Sequence, residues 1–205
     1  MSVPVSSIHS LLRSPEVRGI NFSYNEPFGS HTLTRTVTRQ KFDQLSRLFS
    51  DTPIPHRIRV TTNAAIVQRD SDATYDQYED KVNVRSDNVL QTPEGRACFV
   101  HECVHALQDW RYFDMRIQLA GSMAFIAQAW YLLSCRPGCS LNSCTADIIA
   151  VARELRNSYG IQNSGAPVAM TRAQYLRVRQ TIIGDYHYRT GYYDYNGIRG
   201  NRRRD

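Results

Sequence analysis

The sequence predicts an α+β fold in which a small N-terminal sheet precedes a mainly helical half. Residues 57–61 and 81–85 alternate polar and apolar side chains, which is the pattern of half-buried strands. Further along, no charged residue occurs between Arg116 and Arg136, a run too long for one strand. Together these patterns predict one domain over residues 1–205, with an irregular arm at 1–30 and a basic tail at 198–205.

The composition is that of an ordinary globular protein. The 205 residues are 41% hydrophobic and 21% charged, and the net charge is +6. Of the 25 Lys and Arg residues only Lys41 and Lys81 are lysines, and several arginines lie in the tail. An arginine excess alone suits an anionic partner, but no nucleic-acid-reading motif accompanies it. A nucleic-acid-binding module therefore ranks last among the functions considered.

The N-terminal half is expected to hold short elements. We expect a short helix near residues 8–13 and an extended piece at 17–24 inside the arm. Phe42, Leu45, Leu48 and Phe49 recur at helical spacing after Thr38. Residues 65–68 are a third candidate strand. The acidic stretch at 70–80 fits a solvated hairpin loop better than a calcium site, because its carboxylates do not follow the EF-hand order.

Three further helices are expected in the second half. Pro93 as the first helical residue, with Thr92 as N-cap, predicts a helix over residues 93–112. Ser143 or Thr145 begins a helix that runs to about residue 159 and ends at Gly160. Thr171 caps a helix that continues through residue 183. The tyrosine-rich segment that follows packs against these helices or supplies a group to a site.

The residues His101-Glu102-Cys103-Val104-His105 carry the chemistry of this sequence. On a helix, His101 and His105 fall one turn apart on one face, where two imidazoles can bind one Zn²⁺. Glu102 is then placed to act as general base on a water bound to that metal. The surrounding uncharged residues indicate that this helix is largely buried.

This segment resembles the active-site helix of the gluzincins, and with Ala106 and Gln108 it is similar to the HExxHAxQ helix of small bacterial proteins with zincin-like domains. The resemblance implies a zincin-like fold, a Zn²⁺ cofactor and metallopeptidase activity on a peptide or protein substrate. It implies His101 and His105 as metal ligands and Glu102 as the general base. In such proteins a second helix brings a Glu-Ala pair, and here Met123 precedes Ala124 at the matching place.

The third metal ligand stays open at this stage. A thioether such as that of Met123 is a soft ligand that suits Cu(I) better than Zn²⁺. The other candidates are carboxylates and one histidine: Asp109, Asp147, Glu154, Asp185 and His187. If none of them serves, the chain is a degenerate zincin-fold binding protein without catalysis.

The cellular location of the protein and the redox state of its cysteines are predicted from less specific features of the sequence. The first residues lack a basic and an apolar region, so we expect a cytoplasmic protein or one secreted by a route without a cleavable signal peptide. The uncharged run at 117–135 is interpreted as a buried helix rather than a membrane span. Cys135, Cys139 and Cys144 lie close enough for one disulfide, although reduced thiols are the default. Analogy alone suggests a bacterial toxin or effector.

Overall fold

The computed structural model describes residues 3–28, 30–51, 57–67, 71–111, 114–135, 144–162, 165–184 and 192–194. They form an α+β fold, which confirms the predicted class. The helices are α1 (Val5–Leu12), α2 (Pro15–Arg18), α3 (Arg39–Ser46), α4 (Pro93–Arg111), α5 (Ile117–Cys135), α6 (Ala146–Gln162) and α7 (Arg172–Ile182). The strands are β1 (Phe22–Phe28), β2 (His31–Val37), β3 (Arg59–Thr62), β4 (Ala73–Asp76), β5 (Lys81–Val84), β6 (Asp114–Arg116), β7 (Val168–Met170) and β8 (Tyr192–Asp194).

Helices α4 and α5 form the centre of the molecule and lie side by side. Helix α4 begins at Pro93 as predicted, and the Thr92 hydroxyl accepts a hydrogen bond from the Gly95 N–H at 3.0 Å. Helix α5 coincides with the uncharged run, and nearly all of its residues from Leu119 to Leu132 are buried. Within the described residues, no helix has the length and apolarity needed to cross a membrane. The uncharged run is therefore core sequence.

A three-stranded sheet in the order β3-β5-β4 packs against α4. Strands β3 and β5 are parallel and confirm the strands predicted around 57–61 and 81–85. The strand predicted at 65–68 is wrong, because residues 64–67 form a turn in which Asn63 Oδ1 accepts from the Ala65 N–H. Strand β4 lies instead inside the acidic stretch predicted as a loop, where pairing with β5 and burial of Ala73 outweigh the polar composition.

Residues 3–28 are more regular than the irregular arm that was expected over 1–30. They contain α1, α2 and β1, with fully buried side chains at Ile8, Leu12, Val17, Ile20 and Phe22. Strand β1 pairs antiparallel with β2 and parallel with β7, so that Phe22 lies between Val37 and Val168. Strand β1 thus pairs with the neighbouring β2 and with the distant β7, and no local pattern in the sequence indicates the pairing with β7.

The C-terminal helices follow their predicted starts. Helix α6 continues to Gln162, past Gly160, where an end was expected. Helix α7 begins after Thr171, whose hydroxyl and backbone form a reciprocal capping box with Gln174, as expected for the predicted cap. After Gly184 the structure describes only β8, which pairs antiparallel with β6 next to the start of α5.

Candidate metal centre

The motif side chains occupy one face of α4, which lies between the edge strand β4 and helix α5. His101, Glu102, His105 and Asp109 are all buried, with exposed fractions of 5%, 8%, 6% and 0%. The histidine side of this face contacts α5, and the carboxylate side contacts β4. The predicted site residues His101, Glu102 and His105 therefore lie together in one buried place.

The two imidazoles face each other through the same ring atom. His101 Nε2 lies 3.3 Å from His105 Nε2. Two nitrogens bound to one tetrahedral Zn²⁺ at its usual bond length are separated by about 3.3–3.4 Å. The spacing of this pair therefore fits two ligands of a single zinc ion.

The opposite ring nitrogens are held by glutamine side chains. His101 Nδ1 lies 2.9 Å from Gln128 Oε1 on α5, and His105 Nδ1 lies 3.1 Å from Gln108 Oε1. Gln108 Nε2 donates in turn to the Ala120 carbonyl at 3.1 Å. An N–H donated from Nδ1 to an amide oxygen leaves the lone pair on Nε2, the atom that faces the other histidine. These contacts with glutamine oxygens direct both Nε2 lone pairs toward the same point.

Burial also keeps both imidazoles neutral. Burial, followed by the neighbouring His105, lowers the pKa of His101 well below its usual range. Burial lowers the pKa of His105 to about 4, against a smaller opposing effect of the Gln108 hydrogen bond. The Phe125 ring packs edge-on against His101, with 4.5 Å between ring centroids. Neutral imidazole is the form that binds a metal.

The Glu102 carboxyl group is hydrogen-bonded to the edge strand β4. The backbone N–H of Tyr75 donates to Glu102 Oε2 at 2.7 Å, and the Tyr75 hydroxyl donates to Asp109 Oδ2 at 2.7 Å. Burial raises the pKa of Glu102 to about 8, and the Tyr75 N–H opposes that shift. One residue of β4 thus holds two carboxyl groups that lie two turns apart on α4.

The structure separates most third-ligand candidates from the histidine pair. Glu154 accepts from Gln174 at 2.9 Å and Arg177 at 3.1 Å on an exposed face, and Asp147 lies 3.8 Å from Arg177. Asp109 is engaged by Tyr75 as described above. Asp185 and His187 lie outside the described residues. Among the described residues, no group of three or more His, Cys, Asp and Glu side chains is arranged to hold a metal.

Met123 belongs to a different side of α5 from the groups that meet the histidines. At about 100° per residue, Met123 lies about 200° from Phe125 and about 140° from Gln128 around the helix. Those two residues contact His101, and Met123 is buried on a different side of α5 by this helical geometry. The sequence match of Met123 to a ligand position therefore does not place its thioether beside the pair.

Of the two cysteines next to the motif, Cys103 is a buried core residue and Cys98 is a half-buried residue packed against the core. Cys98 Sγ lies 3.1 Å from Ser71 Oγ, and burial, then Glu102, raises the pKa of Cys98 to about 11. Burial also raises the pKa of Cys103 well above its usual range. Cys135 is half-buried and Cys144 is buried, and Cys139 lies outside the described residues.

Sequence reasoning missed the roles of Gln108, Gln128 and Tyr75. Gln108 stands three residues after His105, a spacing at which two side chains on a helix meet, so a local signal existed. Gln128 and Tyr75 are 27 residues from their partners, and no local pattern links them.

No protein-family model, curated protein or solved structure matches this chain.

Proposed function

We propose that this chain is a zinc-dependent hydrolase, and within that class a metallopeptidase with a zincin-like arrangement. The observation that carries the proposal is the 3.3 Å separation of His101 Nε2 and His105 Nε2. The contacts of both Nδ1 atoms with glutamine oxygens support it, because they direct the two Nε2 lone pairs toward one point. The position of α4 between an edge strand and a second helix supports the zincin-like reading.

Each motif residue has a defined part in this proposal. His101 and His105 hold Zn²⁺ through Nε2, and Gln128 and Gln108 keep their rings in place. A zinc ion in such a site acts as a Lewis acid that polarises a carbonyl group and acidifies water. Glu102 accepts a proton and later returns it to the leaving amine. The Tyr75 N–H holds Glu102 Oε2, so Oε1 is the oxygen available for proton transfer.

The substrate class is a peptide or a protein. In zincins an edge strand beside the motif helix pairs with the substrate main chain, and β4 occupies that position here. The Tyr75 N–H is engaged by Glu102, so a substrate would use other main-chain groups of β4.

The first experiment is elemental mass spectrometry of the purified full chain after incubation with Zn²⁺ and gel filtration. We expect about one zinc per chain, lost in His101→Ala and retained in His31→Ala, a matched change at an exposed histidine on β2. A folded protein that takes up no zinc contradicts the proposal. If zinc binds, a fluorogenic peptide library tests hydrolysis, which Glu102→Ala should abolish without loss of the metal.

A second candidate function is a zincin-like binding protein without catalysis. It is favoured by the engagement of Glu102 with the β4 backbone and by the lack of a third acidic or imidazole ligand among the described residues. Stoichiometric zinc together with no cleavage of any library peptide would support this alternative and exclude the hydrolase.

A further inference from the structure

A cavity of about 350 Å³ lies between helices α2, α5 and α6, and none of the residues that line it belongs to the proposed metal site. Its walls include Glu16 of α2, Trp130 of α5, and Arg156, Tyr159 and Gly160 of α6. Small-molecule sites span about 300–1,000 Å³, so this cavity lies at the lower end of that range. It therefore has room for a compact ligand rather than for a large cofactor.

Two packed aromatic rings form one side of the cavity. Trp130 is buried, and its ring stacks on that of Phe22 with 6.1 Å between the centroids. The half-buried Tyr159 ring lies 6.2 Å from the Trp130 ring at an interplanar angle of 60°. Rings of this kind attract a further aromatic ring in an offset or edge-on arrangement. This side of the cavity therefore suits an aromatic group.

Two side chains of opposite charge line the same cavity without forming a pair. Within the part of the chain that the structure describes, neither the Glu16 carboxylate nor the Arg156 guanidinium has a hydrogen bond or an ion pair. Glu154, on the same helix as Arg156, pairs by contrast with Arg177 at 3.1 Å. A guanidinium binds a carboxylate through two parallel hydrogen bonds, and a carboxylate binds an ammonium group. The two side chains therefore complement a ligand that carries both charges.

A glycine that the backbone does not require keeps the α6 side of the cavity open. Gly160 lies inside α6 and has no positive φ, and glycine is less favourable than alanine in such a position. A Cβ at Gly160 would meet no atom within 4 Å, so packing does not require a glycine either. The missing side chain leaves space next to the groups of Arg156 and Tyr159.

We infer that this cavity binds a small zwitterion with an aromatic side chain, which is either a free amino acid or a dipeptide. The ligand carboxylate binds Arg156, its ammonium group binds Glu16, and its ring packs against Tyr159. The proposed metal site plays no part in this binding. The two charged groups of a dipeptide lie further apart than those of an amino acid, so the affinities for the two distinguish which spacing the cavity accepts.

The test is a titration of the ¹⁵N-labelled full chain in the presence of a chelator, so that no metal contributes. The Gly160 amide signal and the Trp130 indole signal report on the cavity. The probes are L-phenylalanine, glycyl-L-phenylalanine, and two analogues that carry one charge each, 3-phenylpropionate and phenethylamine. We expect the better of the two zwitterions to bind with a Kd of about 1 mM or below. Each analogue should bind about tenfold more weakly than that zwitterion, because one charged contact is lost.

Variants of the lining residues test the individual contacts. Arg156→Gln should weaken binding of the zwitterion about tenfold and leave phenethylamine binding unchanged. Arg153→Gln, at an exposed arginine on α6 that does not line the cavity, is the matched control and should change neither. Glu16→Gln should weaken binding of the zwitterion and leave 3-phenylpropionate binding unchanged. Gly160→Leu should abolish binding by filling the open space, and it should not destabilise the fold, because leucine favours a helix more than glycine does.

Three results would overturn this inference. The first is that the Gly160 and Trp130 signals do not move up to the solubility limit of either zwitterion. The second is that the zwitterions and the singly charged analogues bind equally well. The third is that binding survives Gly160→Leu, which would place the ligand elsewhere. The comparison of probes uses the natural chain, so it decides the matter even if a variant fails to fold.

Discussion

The backbone N–H of Tyr75 lies 2.7 Å from Oε2 of Glu102, so the edge strand and the motif helix are joined at the carboxyl group of the motif. The same residue reaches Asp109 with its hydroxyl. His105 lies between Glu102 and Asp109 on the helix, and the Tyr75 side chain therefore runs alongside the turn that carries this histidine. The position of the Glu102 carboxyl group in the proposed site therefore depends on how β4 packs against α4.

Replacing Tyr75 by Phe should destabilise the protein without releasing Glu102. The change removes the hydroxyl that donates to buried Asp109, while the backbone N–H stays. A buried carboxyl group that loses a donor costs about 1–3 kcal/mol. Urea unfolding should show this loss for Tyr75→Phe, and Tyr78→Phe, at an exposed tyrosine in the following turn, is the matched control. Equal stability of the two variants would show that the Asp109 contact contributes little.

Zinc should stabilise the folded chain by an amount that grows with the logarithm of its concentration once that concentration exceeds the Kd. A ligand that binds only the folded state at 100 times its Kd raises the unfolding free energy by about 2.7 kcal/mol. We expect the Tm to rise with added Zn²⁺ and to fall back on addition of a chelator. His105→Ala should remove this response, because one of the two facing Nε2 atoms is lost. A rise in Tm that persists in His105→Ala would place the zinc elsewhere.

The stability of the metal-free protein should depend on pH through Glu102. Burial raises the pKa of this carboxyl to about 8 in the folded state, from 4.5. The folded chain therefore holds a proton that the unfolded chain has lost, and stability falls as pH rises from about 4.5 to 8, by up to about 1.4 kcal/mol per pH unit.

The histidines change the stability with pH in the opposite direction to Glu102 and over a lower pH range. Burial lowers the pKa of His105 to about 4, so its contribution is lost as pH falls from 6.5 toward 4. Between pH 6.5 and 8 the effect of Glu102 remains. Urea unfolding in chelator should therefore show a decline over this range that Glu102→Gln makes shallower. Parallel profiles for the two proteins would contradict the raised pKa.

Two glycines should respond to alanine with opposite signs. A Cβ on Gly95, in the first turns of α4, would lie 2.0 Å from the Val89 carbonyl oxygen, and backbone must move to admit it. A Cβ on Gly160 in α6 meets nothing within 4 Å. We expect Gly95→Ala to cost at least about 2 kcal/mol and Gly160→Ala to add about 0.5–1 kcal/mol. Thermal or urea unfolding of both variants checks the contrast.

The predictions that succeeded relied on signals that lie close together in the chain. Pro93 after Thr92, the uncharged run of α5 and the Thr171 cap each act over a few residues. The predictions that failed concern strands whose formation depends on tertiary contacts. Strand β4 forms in an acidic stretch because it pairs with β5 and packs against α4. Strand β1 pairs with β7 as well as with β2, and Val168 of β7 lies 146 residues after its partner Phe22.

The sequence by itself determined that two histidines and a glutamate share one face of a buried helix, because helical periodicity places residues one turn apart together. It also determined that α5 is core, because an uncharged run of that length has to be buried. Only the tertiary structure decided what surrounds the motif. Gln128 meets His101 and Tyr75 meets Glu102 because α5 and β4 pack on either side of α4, and such contacts depend on the shapes of whole elements rather than on residues near one another in the chain.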